Sequence, residues 1–544
     1  MRRLGLVLVL AAIAAAFWFL MRSATPPQGP ASASPQSPAL VVLRRGNGPE
    51  PETLDPQLAR SDSALNIARD LFEGLTALDG DANVIPAAAS SWEVSADGKT
   101  YRFTLRPGAR WSNGDAVVSE DFAAGWRRLV DPATASEYAQ ILSPVVNARE
   151  IVAGRRPPAS LGIETPDSAT FVVHLTAVTP YFLGLLAHPS TFPAHRATLA
   201  AHPADYARPG VQVSNGAFVA VDWLVGSRLV ARRNPYYWGN AANRIDQLEL
   251  YHYGDFDSEL KAYRGGELDV TYTIPQQQYR WLKANLGAEL RVSPYLSTYF
   301  YGFNLMRPPF KDRPGLRRAL SMVIDRERLT ESITGVGEIP AYGFVPPGIN
   351  NYTPQSFDYR DWTPERRLTE ARRLYAAAGY SSAHPLVVEI RYNTGEVHNA
   401  IAIAVADMWK RALGVESKLI REEFKVLLQD IRQKQVTEVF RSSWIGDYND
   451  AFNFLEILQS DFGVNHPGYS NPAYDALLRR AAATIDVSAR RALLEEAERT
   501  MLADHPLIPL YFYVNKHLVK PYVRGWHQNV MNVVYSKDLS LDRK

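Results

Sequence analysis

One apolar run, Leu4 to Met21, is long enough to cross a membrane, and the chain contains no second one. Its eighteen residues approach the roughly 20 that a bilayer core requires. Met1, Arg2 and Arg3 place positive charge ahead of it, the pattern of an export signal, with the arginines held on the cytoplasmic side. Ala14, Ala15 and Ala16 offer small residues for cleavage. A cut there would leave Phe17-Trp18-Phe19-Leu20 as an apolar stub, which favours an anchor that stays in place. Either way, the remainder of the chain is exported. Residues 22–39 are mostly Pro, Ser, Ala and Gln with almost no charge, the composition of a flexible tether. From residue 40 onward the chain reads as one soluble body.

That body is too large for a single core, since 544 residues suggest two or three domains. Lys+Arg 59 against Asp+Glu 57 leaves a net charge of +2, without the basic excess that nucleic-acid binding needs. Cysteine is absent, which excludes disulfides, thiolate metal sites, cysteine nucleophiles and a lipid-modified N-terminal cysteine. Short β-rich segments, at 40–43, 170–175 and 386–392, alternate with amphipathic helices. A helix is predicted over 398–413, stopping at Gly414, then a strand over 415–420; another helix is predicted over 488–504. Strands alternating with helices over hundreds of residues point to α/β layers.

Catalytic motifs fail on inspection. Gly98-Lys99-Thr100 resembles the end of a phosphate loop, but Glu93 occupies the place of its first glycine. Asp79, Asp81 and Asn83 mimic the start of a calcium loop, yet Val84 and Ser90 replace its glycine and closing glutamate. No Gly-x-Ser-x-Gly elbow and no His-Glu-x-x-His pair occurs. The many acid pairs are what 57 acids give by chance, mostly as solvated surface.

A series of other segments, in order along the chain, resembles one family. Asp70-Leu71-Phe72-Glu73-Gly74-Leu75 comes first, then Tyr101 to Arg106, Trp111-Ser112-Asn113-Gly114-Asp115 and Asp121-Phe122. Next come Asp131 to Ala139 (DPATASEYA), Asn215-Gly216-Ala217-Phe218 and Arg233-Asn234-Pro235-Tyr236-Tyr237-Trp238. Tyr392-Asn393-Thr394, Trp444 to Asn449 (WIGDYN) and Val514-Asn515 complete the series. Together they resemble the periplasmic oligopeptide-binding proteins of ABC importers, extracellular solute-binding family five. The resemblance spans roughly residues 40–540. It implies an α/β type II periplasmic binding fold, two lobes on a hinge plus an inserted third domain. The first lobe is expected from residues 40–75, 196–296 and 515–544, the insertion from 76–195 and the second lobe from 297–514. Ligand would be enclosed as the lobes close.

The resemblance also implies site residues. A loop aspartate is ordinarily a turn former; Asp447, in Trp444-Ile445-Gly446-Asp447, stands where the family holds the ligand's α-ammonium. An ionised carboxylate suits that role, because it pairs a buried positive charge. Trp444 and Tyr138 would line side-chain pockets. Arg432, Arg441 and His398 stand where the family places cations for the peptide carboxylate or for charges between the lobes. Asn465 and Tyr469 would edge the pocket. Three departures bear on the ligand: Arg60 replaces an entrance glutamate and reverses its charge, Phe424 replaces a tryptophan, and Phe300 replaces a tyrosine. The expected function is capture of short oligopeptides for delivery to an ABC permease, by a monomer that needs no cofactor and no metal. Alternatives are the same fold with a dipeptide, murein peptide, nickel chelate or sugar, or an exported hydrolase with an aromatic-lined cleft.

Overall fold

The computed structural model describes residues 40–543, so the apolar run and the tether fall outside the described residues. Among the described residues no helix is long and apolar enough to cross a membrane. The predicted strand–helix–strand unit is present as Val387–Asn393, Glu396–Leu413 and Glu416–Glu422, with the two strands paired in parallel. Ile401, Val405, Met408 and Trp409 form the buried stripe of its helix, at the spacing of one helical face. Gly414 ends that helix with φ +78, a left-handed turn that glycine adopts without strain. The predicted late helix runs Val487–Asp504.

Two apolar cores organise the body. One gathers Leu43, Phe72, Phe103, Trp126, Phe171 and Leu248. It joins a four-stranded sheet (Val42–Gly46, Gln247–Tyr251, Arg228–Arg233, Phe218–Leu224) to an antiparallel sheet built within residues 89–174. The segment read as an insertion therefore shares a continuous core with the lobe that carries it. The other core gathers Tyr299, Phe303, Val388, Trp409 and Leu507 around a six-stranded sheet. Two long strands, Leu290–Phe303 and Leu507–Leu518, run antiparallel from one core region to the other. Their ladder slips midway. Pro294 pairs with Val514, but the next pair is Thr298 with Phe512, so four steps on one strand oppose two on the other. A bulge of this kind locally removes ladder hydrogen bonds and bends the strand.

Several segments that carried the family resemblance, at 70–75, 215–218 and 233–238, are stitches of the first core. Asp70 accepts from the Ser536 amide and hydroxyl at 2.8 and 2.7 Å. Glu73 accepts from the Tyr237 hydroxyl and, at 2.6 Å, from the Trp238 indole. The Asn215 side chain holds the Glu73 backbone by both its amide and its carbonyl. A Cβ on Gly216 would lie 2.5 Å from the Leu71 carbonyl carbon, so only glycine fits that approach. Each buried acid thus has its own donors, as burial demands. The catalytic look-alikes are turns: Asp79 accepts from the Asp81 and Asn83 amides, and Asp97 from the Lys99 amide.

Candidate ligand cleft

The second-lobe wall is built on the strand Val439–Ile445, which lies beside Leu290–Phe303 with Trp444 opposite Thr298 and Ser442 opposite Phe300. This register collects Phe300, Phe424, Arg441 and Trp444, with Leu458 and His466, around a cavity of about 200 Å³. Phe300 is buried edge-on against Phe344. Phe424 is 48% exposed and offers its ring at the mouth. Asn453, which sequence reasoning missed, is buried and uses one carbonyl for two tasks. It accepts from the Trp444 indole at 2.9 Å and from the Asp447 amide at 3.4 Å, fixing ring and loop together.

Arg441 donates to Asn393 at 3.2 Å, Ser443 at 3.4 Å and the Tyr513 hydroxyl at 3.5 Å, and lies 4.9 Å over the Tyr299 ring. No carboxylate pairs with it among the described residues. Its charge is stabilised by neutral dipoles and left free for an anion. His398 sits beside it, its ring nitrogen 3.2 Å from the Tyr299 hydroxyl. The expectation of a cationic His398 is corrected: burial first, and then the charge of Arg441, pull its pKa down to about 4. At neutral pH it is an uncharged hydrogen-bonding group. Arg432 is exposed in the last turn of the helix Phe424–Gln433 and does not share the cavity with Arg441; its charge helps to depress His466.

Asn465 has a different task from the one expected. It is 4% exposed, donates to the carbonyls of Gln459 and Tyr469 at 2.9 and 2.7 Å, and accepts from the Tyr469 amide at 3.0 Å. Tyr469 is also buried, donating to Asp504 at 2.7 Å. These two residues hold the loop, and the loop offers His466 and Pro467 to the cavity.

Asp447 lies two residues beyond the end of the strand, open to water at the cleft and with no cationic partner among the described residues. Surrounding protein nevertheless raises its pKa through desolvation, against a lowering bond from Asn453. Tyr138, from the first-lobe body, packs on His188 at 4.4 Å. Its hydroxyl pKa is raised by burial and then by the charge of Asp447. At the entrance, Arg60 does not reverse the local charge as expected. Its guanidinium meets Glu137 at 2.6 Å and its amide meets Glu52 at 2.6 Å, so the positive charge is cancelled locally.

A larger cavity of about 680 Å³ continues the cleft, lined by Asp62, Tyr272 and Tyr295 on one side and Glu338, His398 and Lys516 on the other. Two α/β bodies joined by bulged crossing strands, with unpaired charges facing a concave space, define a two-lobed binding receptor. Comparison with known proteins gives the class its family. The family model "Bacterial extracellular solute-binding proteins, family 5 Middle" matches residues 83–466. The periplasmic oligopeptide-binding protein OppA of Escherichia coli is 37% identical over 488 residues, covering 89% of each chain. The chain belongs to family 5 of the bacterial extracellular solute-binding proteins, receptors of the type II periplasmic binding fold.

Solved structures add the conformation. The unliganded open form of the periplasmic murein tripeptide binding protein MppA overlays with a TM-score of 0.88 at 35% identity, covering 92% of this chain and 97% of that one. Haemophilus influenzae OppA in complex with RPPGFSPFR, also 35% identical, overlays at 0.70, covering 93% and 99%. At matched identity and coverage, this structure overlays more closely on the unliganded open form than on the peptide complex.

Pairing of Asp447 with a ligand's ammonium, the role proposed below, predicts a pH dependence. Only its ionised form pairs with an ammonium, and its pKa is raised above 3.8. Affinity for an ammonium-bearing ligand is therefore constant above that pKa and falls about tenfold per pH unit below it. Calorimetric titration from pH 7 downward should show the loss beginning above pH 3.8 for free peptides and absent for N-acetylated ones.

Proposed function

We propose that the protein is an exported receptor, and not an enzyme, that captures short peptides between its lobes and delivers them to an ABC transporter permease. The observation that carries this reading is the pair of unsatisfied charges on one strand and its continuation. Asp447 is a carboxylate without a cation, and Arg441 is a guanidinium without an anion. Six steps along the chain separate them by at most about 20 Å, the length of a short extended peptide. A zwitterionic peptide supplies both partners, an ammonium for Asp447 and a carboxylate for Arg441, while Phe300, Phe424 and Trp444 line a place for a side chain. A sugar lacks the ammonium and the carboxylate. A murein peptide, the ligand in the name of MppA, has both and is the second reading.

Incubation with a peptide library, with the mixture then read by native mass spectrometry, tests the proposal. Intact short peptides retained on the protein support capture. Fragmentation of the library would support a hydrolase instead, and retention of murein peptides alone would favour the second reading.

The proposed location is the periplasm, with the chain tethered to the inner membrane by Leu4 to Met21. The length of that run and the awkward stub left by cleavage support the tether. Resistance of the protein to carbonate extraction from membranes is the expected result; a soluble form beginning at Phe17 or later would overturn it.

A further inference from the structure

A third cavity, of about 430 Å³, shares no lining residue with either cavity of the cleft. Its size falls within the range of small-molecule sites, about 300–1,000 Å³. It forms where the first-lobe body meets the second lobe, and three contacts join its two sides. The Tyr181 ring stacks on Tyr448 at 4.2 Å and on Phe452 at 5.8 Å. The Asn350 side chain donates to the Ala82 carbonyl at 2.9 Å. Ile485 packs so near the turn at Gly98 that a Cβ there would lie 2.9 Å from its Cδ1. One wall is the chain from Tyr448 to Ala451. A single loop thus presents Asp447 to the cleft and its next four residues to this separate space.

The lining is apolar with a cation at one side. Val487, Arg490, Arg491 and Leu494 recur at the spacing of one face of the helix Val487–Asp504, and that face lines the cavity. Val94, Ile485 and Val487 line it too, and all three are exposed. Single apolar residues on a surface are ordinary, whereas branched side chains converging on one cavity mark a place for an apolar ligand. The charged residues of the lining are Asp450, Arg490 and Arg491. Arg490 and Asp450 cancel one another in a bidentate pair at 2.6 and 2.9 Å. Arg491 meets only Glu495, one turn along its own helix and 3.8 Å away, and it stays exposed. An exposed pair of this kind holds its partners weakly, so an incoming anion exchanges with Glu495 at little cost. The lining therefore keeps one net positive charge beside an apolar space.

We propose that this cavity is a second binding site, for a single-chain amphiphilic carboxylate of the fatty-acid class. The chain lies against Val94, Ile485, Val487 and Leu494, and the head group pairs with Arg491. The site goes beyond peptide capture and is independent of it, because the two ligands touch different residues and can be bound together.

The test is calorimetric titration of the purified protein with octanoate, decanoate and dodecanoate, and with dodecyltrimethylammonium as the head group of opposite sign. Affinity should rise about tenfold for each two methylenes, because the chain is buried. Dodecanoate should bind roughly tenfold more tightly than the ammonium. Ile485→Asp sets a carboxylate at an exposed apolar position and should weaken dodecanoate by roughly tenfold; Arg491→Gln should weaken it about fivefold. Both variants should bind peptide as the native protein does. Arg441→Gln should leave dodecanoate affinity unchanged, and saturating peptide should not displace dodecanoate. The inference is overturned if dodecanoate fails to bind, if the two head groups bind alike, or if Ile485→Asp and Arg491→Gln leave its affinity unchanged. Loss of dodecanoate binding in Arg441→Gln, or competitive displacement by peptide, would put the carboxylate in the peptide cleft and overturn it equally.

Discussion

Replacing Asp447 by alanine should weaken binding of free tri- to pentapeptides by roughly 10²-fold or more. Hydrogen bonds to charged groups contribute roughly 1.5–3 kcal/mol, and stranding one partner of a buried charge pair costs about 3–5; the top of the first range and all of the second reach a hundredfold in affinity. N-acetylation of the peptide removes the other partner. It should weaken binding to the native protein by a similar factor and change little in Asp447→Ala, since the contact is already gone. That non-additivity reports direct contact rather than general damage. Four calorimetric titrations supply the cycle, and circular dichroism confirms the fold of the variant. If acetylated and free peptides bind the native protein equally, Asp447 is not the ammonium anchor. A companion result fixes the sign of the electrostatics. The raised pKa of Asp447 means that the ligand-free fold disfavours its charge. A group of this kind stabilises the fold below its unfolded pKa, and the benefit is lost as pH rises through the folded one. Asp447→Asn should therefore melt higher than the native protein at neutral pH without peptide, and gain less when peptide is added.

Much of the fold is legible in the sequence because its signals are local. The helix Glu396–Leu413 announces itself by a buried stripe and a terminal glycine, and both act within a few turns of chain. The late helix and the strand pair Val387–Asn393 and Glu416–Glu422 are legible for the same reason. The motifs in the first core are recognisable as a pattern, but their reason is not. Glu73 meets Trp238, 165 residues away, and Asp70 meets Ser536, 466 residues away. Partners that distant leave no periodicity to read.

Charge is the least legible property of the site. His398 has an ordinary place in the sequence, and only burial beside Arg441 makes it neutral. Arg60 reads as a reversed charge until Glu137, 77 residues on, is found against it. Asn453 is hidden for a related reason: an amide that positions two neighbours looks like any buried polar residue until its acceptors and donors are traced.

Peptide should close the molecule, and the change should be large enough to see without labels. Peptide bound only to the wall with Trp444 and Arg441 keeps part of its surface in water. Closure brings the second wall onto the ligand and expels that water, which strengthens each polar contact it encloses. The crossing strands permit the motion where their ladder slips, between Pro294 and Thr298 opposite Val514 and Phe512. Few interstrand bonds need break there. Saturating peptide should reduce the radius of gyration measured by small-angle scattering. It should also stabilise the fold by about 4 kcal/mol at a thousandfold excess over Kd, read as a raised melting temperature. In Asp447→Ala both responses should require roughly a hundredfold more peptide, because the same contact that holds the ammonium supplies part of the closing energy. Scattering that stays unchanged while calorimetry shows full occupancy would mean that ligand binds to an open cleft, and the bulge would then be a feature of strand geometry without a role in capture.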